Sequence, residues 1–161
     1  MKSIYFYATP IGRIGVAESE GRLTNLFFPA EKIAEPAIEV ETGLLQEAGE
    51  QLERYFSGKL KDFTLPLTPV GTDFMQRVWA CLQTIPYGET WSYQKVAQTI
   101  SQPKACRAVG LANHRNPLPI FIPCHRVIGK NGDLTGFGGG LELKSLLLDL
   151  EKEHLASFIS C

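Results

Sequence analysis

Between Thr64 and Gly71 the chain reads Thr-Leu-Pro-Leu-Thr-Pro-Val-Gly, with two prolines and no helical period, and the residues on either side follow different patterns. Before this break the first thirty residues alternate and break like strands and an acidic helix follows; after it apolar residues recur at helical spacing. The chain has 161 residues, enough for one ordinary domain or two small ones. The break places a boundary between a 1–70 domain with its linker and a 71–161 domain, and the fold class this implies is α+β.

The first thirty residues predict strands over Ser3–Thr9, Gly12–Glu18 and Arg22–Phe28, separated by turn signals at Pro10-Ile11-Gly12 and Glu20-Gly21. They imply a small antiparallel sheet. An acidic helix from about Thr42 to Phe56, with Leu44, Leu45, Ala48, Leu52, Tyr55 and Phe56 near helical spacing and Gly58 as its stop, can cover that sheet.

The second part is mainly helical. A helix from about Thr72, capped by Thr72 or Asp73, presents Phe74, Val78, Leu82 and Ile85 on one face before Pro86-Tyr87-Gly88 ends it. Ser92 can cap a short helix to about Ile100. After a turn at Ser101-Gln102, Pro103 suits the first position of another helix running to about Asn113, which makes a helix-turn-helix. That second helix carries Ala105, Ala108, Gly110 and Ala112, with Lys104 and Arg107 as charges. A helix so bare either presses its backbone into a narrow groove or packs tightly inside the protein, and composition does not separate the two. The run Pro117-Leu118-Pro119-Ile120-Phe121-Ile122-Pro123 excludes helix and leads into Cys124-His125-Arg126-Val127. A glycine-rich stretch at 136–140 precedes a last helix, about Leu141–His154.

Charge is unevenly distributed. The net value is -1, yet residues 1–70 hold seven basic against ten acidic side chains, and the remainder holds nine against seven. From Glu89 to Asp133 no acidic residue intervenes, while Lys95, Lys104, Arg107, Arg115, Arg126 and Lys130 fall inside that window. Such a window suits a phosphate backbone, although a solvated basic face has the same composition. The cysteines, Cys81, Cys106, Cys124 and Cys161, lack any Cys-x-x-Cys pair or histidine at zinc-ligand spacing. Reduced thiols and no metal are therefore expected. No apolar run approaches the ~20 residues of a membrane helix, and the N-terminus lacks a signal-peptide pattern, so a cytoplasmic protein with no membrane partner is expected.

Cys124 is delivered by apolar sequence into a polar Cys-His-Arg segment, where an imidazole can take the thiol proton and nearby positive charge can stabilise the thiolate. Neighbours in an extended strand point to opposite faces, so Cys124 and His125 cooperate only if the chain turns there or a water bridges them. On the last helix Leu143, Leu146, Leu147 and Leu150 form an apolar stripe, with Glu151 at its edge. A carboxylate on a buried stripe needs a partner, and a histidine N–H is a natural one. Cysteine, histidine and glutamate together also fit a thiol hydrolase, but no oxyanion-hole motif accompanies them.

The run Pro123-Cys124-His125-Arg126-Val127, preceded by Arg107-Ala108-Val109-Gly110 and Asn116-Pro117, closely resembles the O6-alkylguanine-DNA alkyltransferases, also called methylated-DNA–protein-cysteine methyltransferases. The resemblance extends from about Phe74 to Glu151, and the preceding strands and acidic helix are similar to that family's variable N-terminal domain. It implies direct, irreversible repair of double-stranded DNA carrying O6-alkylguanine, with O4-alkylthymine as a further substrate to test. The flipped base enters a pocket and its alkyl group passes to Cys124, without a cofactor and once per protein. His125 would be the base acting through a water, Glu151 its orienting carboxylate, and Asn116 the residue holding the turn. Tyr93, Val127 and Gly138 would bind the base, Tyr93 also crowding the target phosphate. Arg107 would fill the vacated place in the stack, and Lys104, Ala105, Ala108 and Arg115 would contact DNA from a helix lying in the minor groove. A monomer is expected.

Two features depart from the family pattern. The loop that often carries Tyr-Ser reads Phe137-Gly138, where a backbone N–H at Gly138 would still donate to the alkylated oxygen. Residues 1–80 contain neither Cys nor His, so the zinc ligands of some members are missing. Relatives that bind lesions without repairing them lack the acceptor cysteine, whereas Cys124 is present here.

Overall fold

A computed structural model describes residues 1–134, 137 and 139–158, which divide into two compact units, Met1–Val70 and a second beginning at Gly71. The first unit is a sheet covered by one helix. Strands β1 (Lys2–Thr9), β2 (Gly12–Ser19) and β3 (Arg22–Phe27) form an antiparallel meander. A short strand β4 (Ala37–Glu39) then adds parallel to β1, giving the order β3-β2-β1-β4. The sheet is thus mixed rather than purely antiparallel. Helix α1 (Gly43–Phe56) starts where the Thr42 hydroxyl accepts the Leu45 N–H at 3.2 Å. Its Leu45, Ala48, Leu52 and Tyr55 are fully buried, as are Ile14, Val16 and Leu23 of the sheet. A Cβ added at Gly49 would lie 2.5 Å from the Tyr7 ring, so glycine there lets α1 and β1 approach closely.

The proline-bearing segment after α1 is not a free linker. Leu23 donates its N–H to the Pro66 carbonyl at 2.9 Å and accepts from Thr68 at 2.8 Å, so Leu67 pairs alongside β3. Two prolines leave gaps in the donor pattern but do not prevent a single bridge at an edge.

The second unit is built on helices α2 (Asp73–Leu82), α3 (Tyr93–Thr99), α4 (Cys106–His114) and α5 (Leu141–His154). Thr72 caps α2 through the Met75 N–H. The helix stops at Leu82, short of the predicted Ile85, because the Thr84 hydroxyl and the Ile85 N–H take the Cys81 and Leu82 carbonyls at 2.6 and 3.1 Å. Ser92 caps α3 through the Lys95 N–H at 3.0 Å. Helix α4 begins at Cys106 rather than at Pro103. Gln102 turns back to bond the Ala97 carbonyl at 2.8 Å, Ala105 bonds Gln102 at 2.9 Å, and Pro103 and Lys104 lie in the resulting turn. Buried Trp79 of α2 donates its indole N–H to the Ala112 carbonyl of α4 at 2.8 Å, which fixes α4 against the core. Among the described residues no helix is long and apolar enough to cross a membrane.

A two-stranded parallel pair joins β5 (Trp91–Ser92) to β6 (Val127–Ile128). Two-residue strands leave no periodic signature, so the sequence does not show them, yet this pair anchors the segment that follows Pro123 next to the start of α3.

Candidate active site

Cys124, His125 and Arg126 form one turn of 3₁₀ helix between Pro123 and β6. The extended conformation that would have sent Cys124 and His125 to opposite faces is thus replaced by a turn. All three residues are buried. The preceding loop is held by two asparagines. Asn116 donates Nδ2 to the Ile122 carbonyl at 2.8 Å and accepts the Leu118 N–H on Oδ1 at 2.9 Å, while Asn113 donates to the Cys124 carbonyl at 3.3 Å. Prolines 117, 119 and 123 contribute no N–H of their own, so side-chain amides supply partners that a regular element would supply elsewhere.

Helix α5 brings the carboxylate. Its buried residues are Lys144, Leu147 and Glu151, spaced three and four apart. This corrects the predicted stripe: Leu146 is 41% exposed, while Lys144 and Glu151 are at 0%. The helix turns its charged residues inward because each finds a charged or polarisable partner there. Glu151 Oε2 lies 2.6 Å from His125 Nε2, and Arg126 reaches the same carboxylate with Nε at 2.8 Å and Nη2 at 3.0 Å. The Gly88 N–H adds a bond of 3.1 Å. An ionised carboxylate accepts only, so Nε2 is the protonated nitrogen of a neutral His125 and the buried Nδ1 carries the lone pair.

The electrostatics follow from burial. Burial pushes the Cys124 thiol up to about 11, and a hydrogen bond from Asn116 and the charge of Lys144 pull it part of the way back. At neutral pH the resting residue is therefore a thiol, and attack requires a base. Burial lowers His125 from its ordinary value, with Glu151 opposing and Arg126 and Lys144 reinforcing the shift, so the imidazole is unprotonated and able to serve. Burial also brings Lys144 down to about 8, against the pull of Cys124.

The structure thus collects Cys124, His125, Glu151 and Asn116 in one place. Tyr93, half-buried at the start of α3, faces α4 so closely that a Cβ on Gly110 would meet its ring at 3.9 Å. Val127 is fully buried in β6. Arg107 and Ala108 lie on the exposed face of α4 and Arg115 is exposed at its C-cap, whereas Lys104 and Ala105 precede the helix. Gly138 lies outside the described residues. The sequence reading did not single out Arg126, Lys144 or Asn113. Lys144 had a signal, since it precedes Leu147 and Glu151 at helical spacing. Among the described residues no cluster of three His, Cys, Asp or Glu forms a metal site, and Cys81, Cys106 and Cys124 are free thiols.

Comparison with known proteins agrees in both units. Residues 73–153 match the family described as 6-O-methylguanine DNA methyltransferase, DNA binding domain, and residues 4–69 match its ribonuclease-like domain. The constitutive methylated-DNA–protein-cysteine methyltransferase of Bacillus subtilis is 49% identical over 151 residues, covering 89% of this chain and 92% of that protein. The methylated-DNA–protein-cysteine methyltransferase of Methanosarcina barkeri is 51% identical over 150 residues, covering 91% and 95%. A crystal structure of Mycobacterium tuberculosis OGT in complex with DNA superimposes with a TM-score of 0.89 at 46% identity, covering 94% of each chain. Matched in both halves and about half identical to named members, this chain belongs to the 6-O-methylguanine DNA methyltransferase family.

Proposed function

We propose that this protein repairs DNA directly by moving the alkyl group of O6-alkylguanine onto Cys124, once per molecule. The observation that carries the reading is the buried Glu151–His125 pair, closed at 2.6 Å beside a cysteine whose proton must be removed before it can attack. His125 takes the thiol proton, directly or through a water. Sulfur then attacks the alkyl carbon, the C–S bond forms as the C–O6 bond breaks, and the electron pair stays on guanine, which is protonated to the normal base. Asn116 holds the loop that presents Cys124. Tyr93 and Val127 line the base site.

DNA binds through α4 in the minor groove. Arg107 takes the place of the extruded base, Ala108 and Ala105 allow close approach, and Lys104 and Arg115 meet phosphate. Extrusion costs a few kcal/mol, least for a weakly paired lesion, which favours damaged sites without sequence readout. The protein acts as a monomer in the cytoplasm, where a reaction that consumes one reduced thiol per lesion finds its thiol reduced.

Intact mass and peptide mapping after mixing with a duplex containing one O6-methylguanine test this. One methyl group on Cys124 and restored guanine are expected, and Cys124→Ser should bind the lesion but accept nothing. Transfer retained in that variant, or several turnovers per protein, would overturn the proposal.

A further inference from the structure

The Glu151 carboxylate has more partners than orienting one imidazole requires. Arg126 reaches both of its oxygens, at 2.8 and 3.0 Å, and anchors its remaining amino group, Nη1, on the Ile85 carbonyl at 2.7 Å. Its guanidinium carbon stands 5.6 Å from the centre of the Tyr87 ring. The arginine is therefore held on three sides, and it is 6% exposed beside two residues that are 0% exposed.

A buried carboxylate with an imidazole as its sole counter-charge favours the imidazolium, which cannot accept a proton from a thiol. A planar guanidinium that matches the carboxylate fork supplies that counter-charge permanently. We propose that Arg126 is a positioning residue for the base: by neutralising Glu151 it lets the carboxylate fix the His125 ring without protonating it, so that Nδ1 stays unprotonated and can take the proton of Cys124. The charged groups acting on this imidazole are Arg126 on its own turn and Glu151 and Lys144 from α5, and Tyr87 from the segment after α2 stands against Arg126. Glu151 pulls the imidazole up, while Arg126 and Lys144 push it down in the same sense as burial. When the S–H bond breaks, the proton goes to Nδ1 and leaves with the guanine; Arg126 itself gains and loses none. This inference rests on His125 being the base in the reaction proposed above.

Nitrogen NMR of the full-length protein labelled with ¹⁵N-histidine reads the charge state without any reaction. His125 should be neutral with its proton on Nε2 from pH 6 to 8 in the wild type, and protonated at neutral pH in Arg126→Gln. In single-turnover transfer from an O6-methylguanine duplex, Arg126→Gln should lag the wild type by about tenfold or more at pH 6.5 and by much less at pH 9, a tenfold loss per pH unit being the signature of a titrating base. Arg126→Lys, which keeps the charge, should restore most of the profile. A constant ratio of rates across pH would overturn the inference, since a purely structural arginine gives that result. An imidazolium in the wild type at pH 7 would also overturn it, even if Arg126→Gln fails to fold. A wild type that transfers no methyl at any pH with His125 neutral would instead sink the proposed reaction and leave the charge assignment standing.

Discussion

The carboxylate of Glu151 and the imidazole of His125 meet at 2.6 Å with neither side chain exposed, although 26 residues separate them in the chain. The contact joins α5 to the 3₁₀ turn. Burial alone would raise the Glu151 carboxyl, but His125 and Arg126 outweigh it and hold the group well below the usual carboxylate range. Glu151→Gln should destabilise the second unit by about 3–5 kcal/mol, because it leaves Arg126 buried without its counter-charge. Because the folded value is depressed, this contribution is complete above about pH 4.3 and is lost as pH falls below it. Urea titrations of wild type and variant from pH 7 to pH 3 should therefore converge toward the acid end; a gap that stays constant with pH would contradict the assignment.

The Cys124 thiol, pushed up to about 11 by burial against the pull of Asn116 and Lys144, should react slowly with iodoacetamide in the free protein. Its rate should climb about tenfold per pH unit from pH 8 to 10, as expected for a protonated thiol. Mapping of the labelled peptide gives the rate for this cysteine alone. A plateau already reached at pH 8 would mean that the resting protein holds a thiolate.

Asn116 satisfies the Ile122 carbonyl and the Leu118 N–H with one side chain. Asn116→Ala leaves the buried Leu118 N–H without its partner, while the Ile122 carbonyl keeps the Cys124 N–H at 2.7 Å, and should cost about 1–3 kcal/mol. Thermal unfolding measures that loss. Transfer should slow as well, because the loop carrying Cys124 loses its tie; a variant equally stable and equally fast would show that the prolines alone fix the loop.

Arg107 is exposed on α4, whereas Cys124 is buried. Arg107→Ala should slow repair in duplex DNA by about tenfold or more, in line with the few kcal/mol that base extrusion costs. Reaction with free O6-alkylguanine base should change little, so equal losses on both substrates would remove Arg107 from the extrusion step. Duplex affinity should also fall with salt at a log-log slope of roughly -3 to -4, the value for three or four neutralised phosphates. A flat response in a binding titration would exclude α4 and its neighbours as a phosphate-reading surface.

The sequence by itself determined what depends on near neighbours. The three strands of the meander, α1, the caps Thr72 and Ser92, α5 and the Cys-His-Arg motif all follow from periodicity, turn residues and local chemistry. The elements that escaped it have no period of their own. Strand β4 is three residues long, β5 and β6 are two each, and all exist because a partner strand presents free donors and acceptors. Pro103 looked like a helix start because proline suits that position, but the backbone bond from Gln102 to Ala97 put it in a turn. The inward face of α5 was decided in the same way. Periodicity alone ranks leucine above lysine for a buried position, yet Lys144 is fully buried and Leu146 is 41% exposed. Burying a charge is favourable only where an opposite or polarisable group waits to meet it. Cys124, His125 and Arg126 are that meeting place, and the tertiary fold, not the local sequence, brings α5 to them.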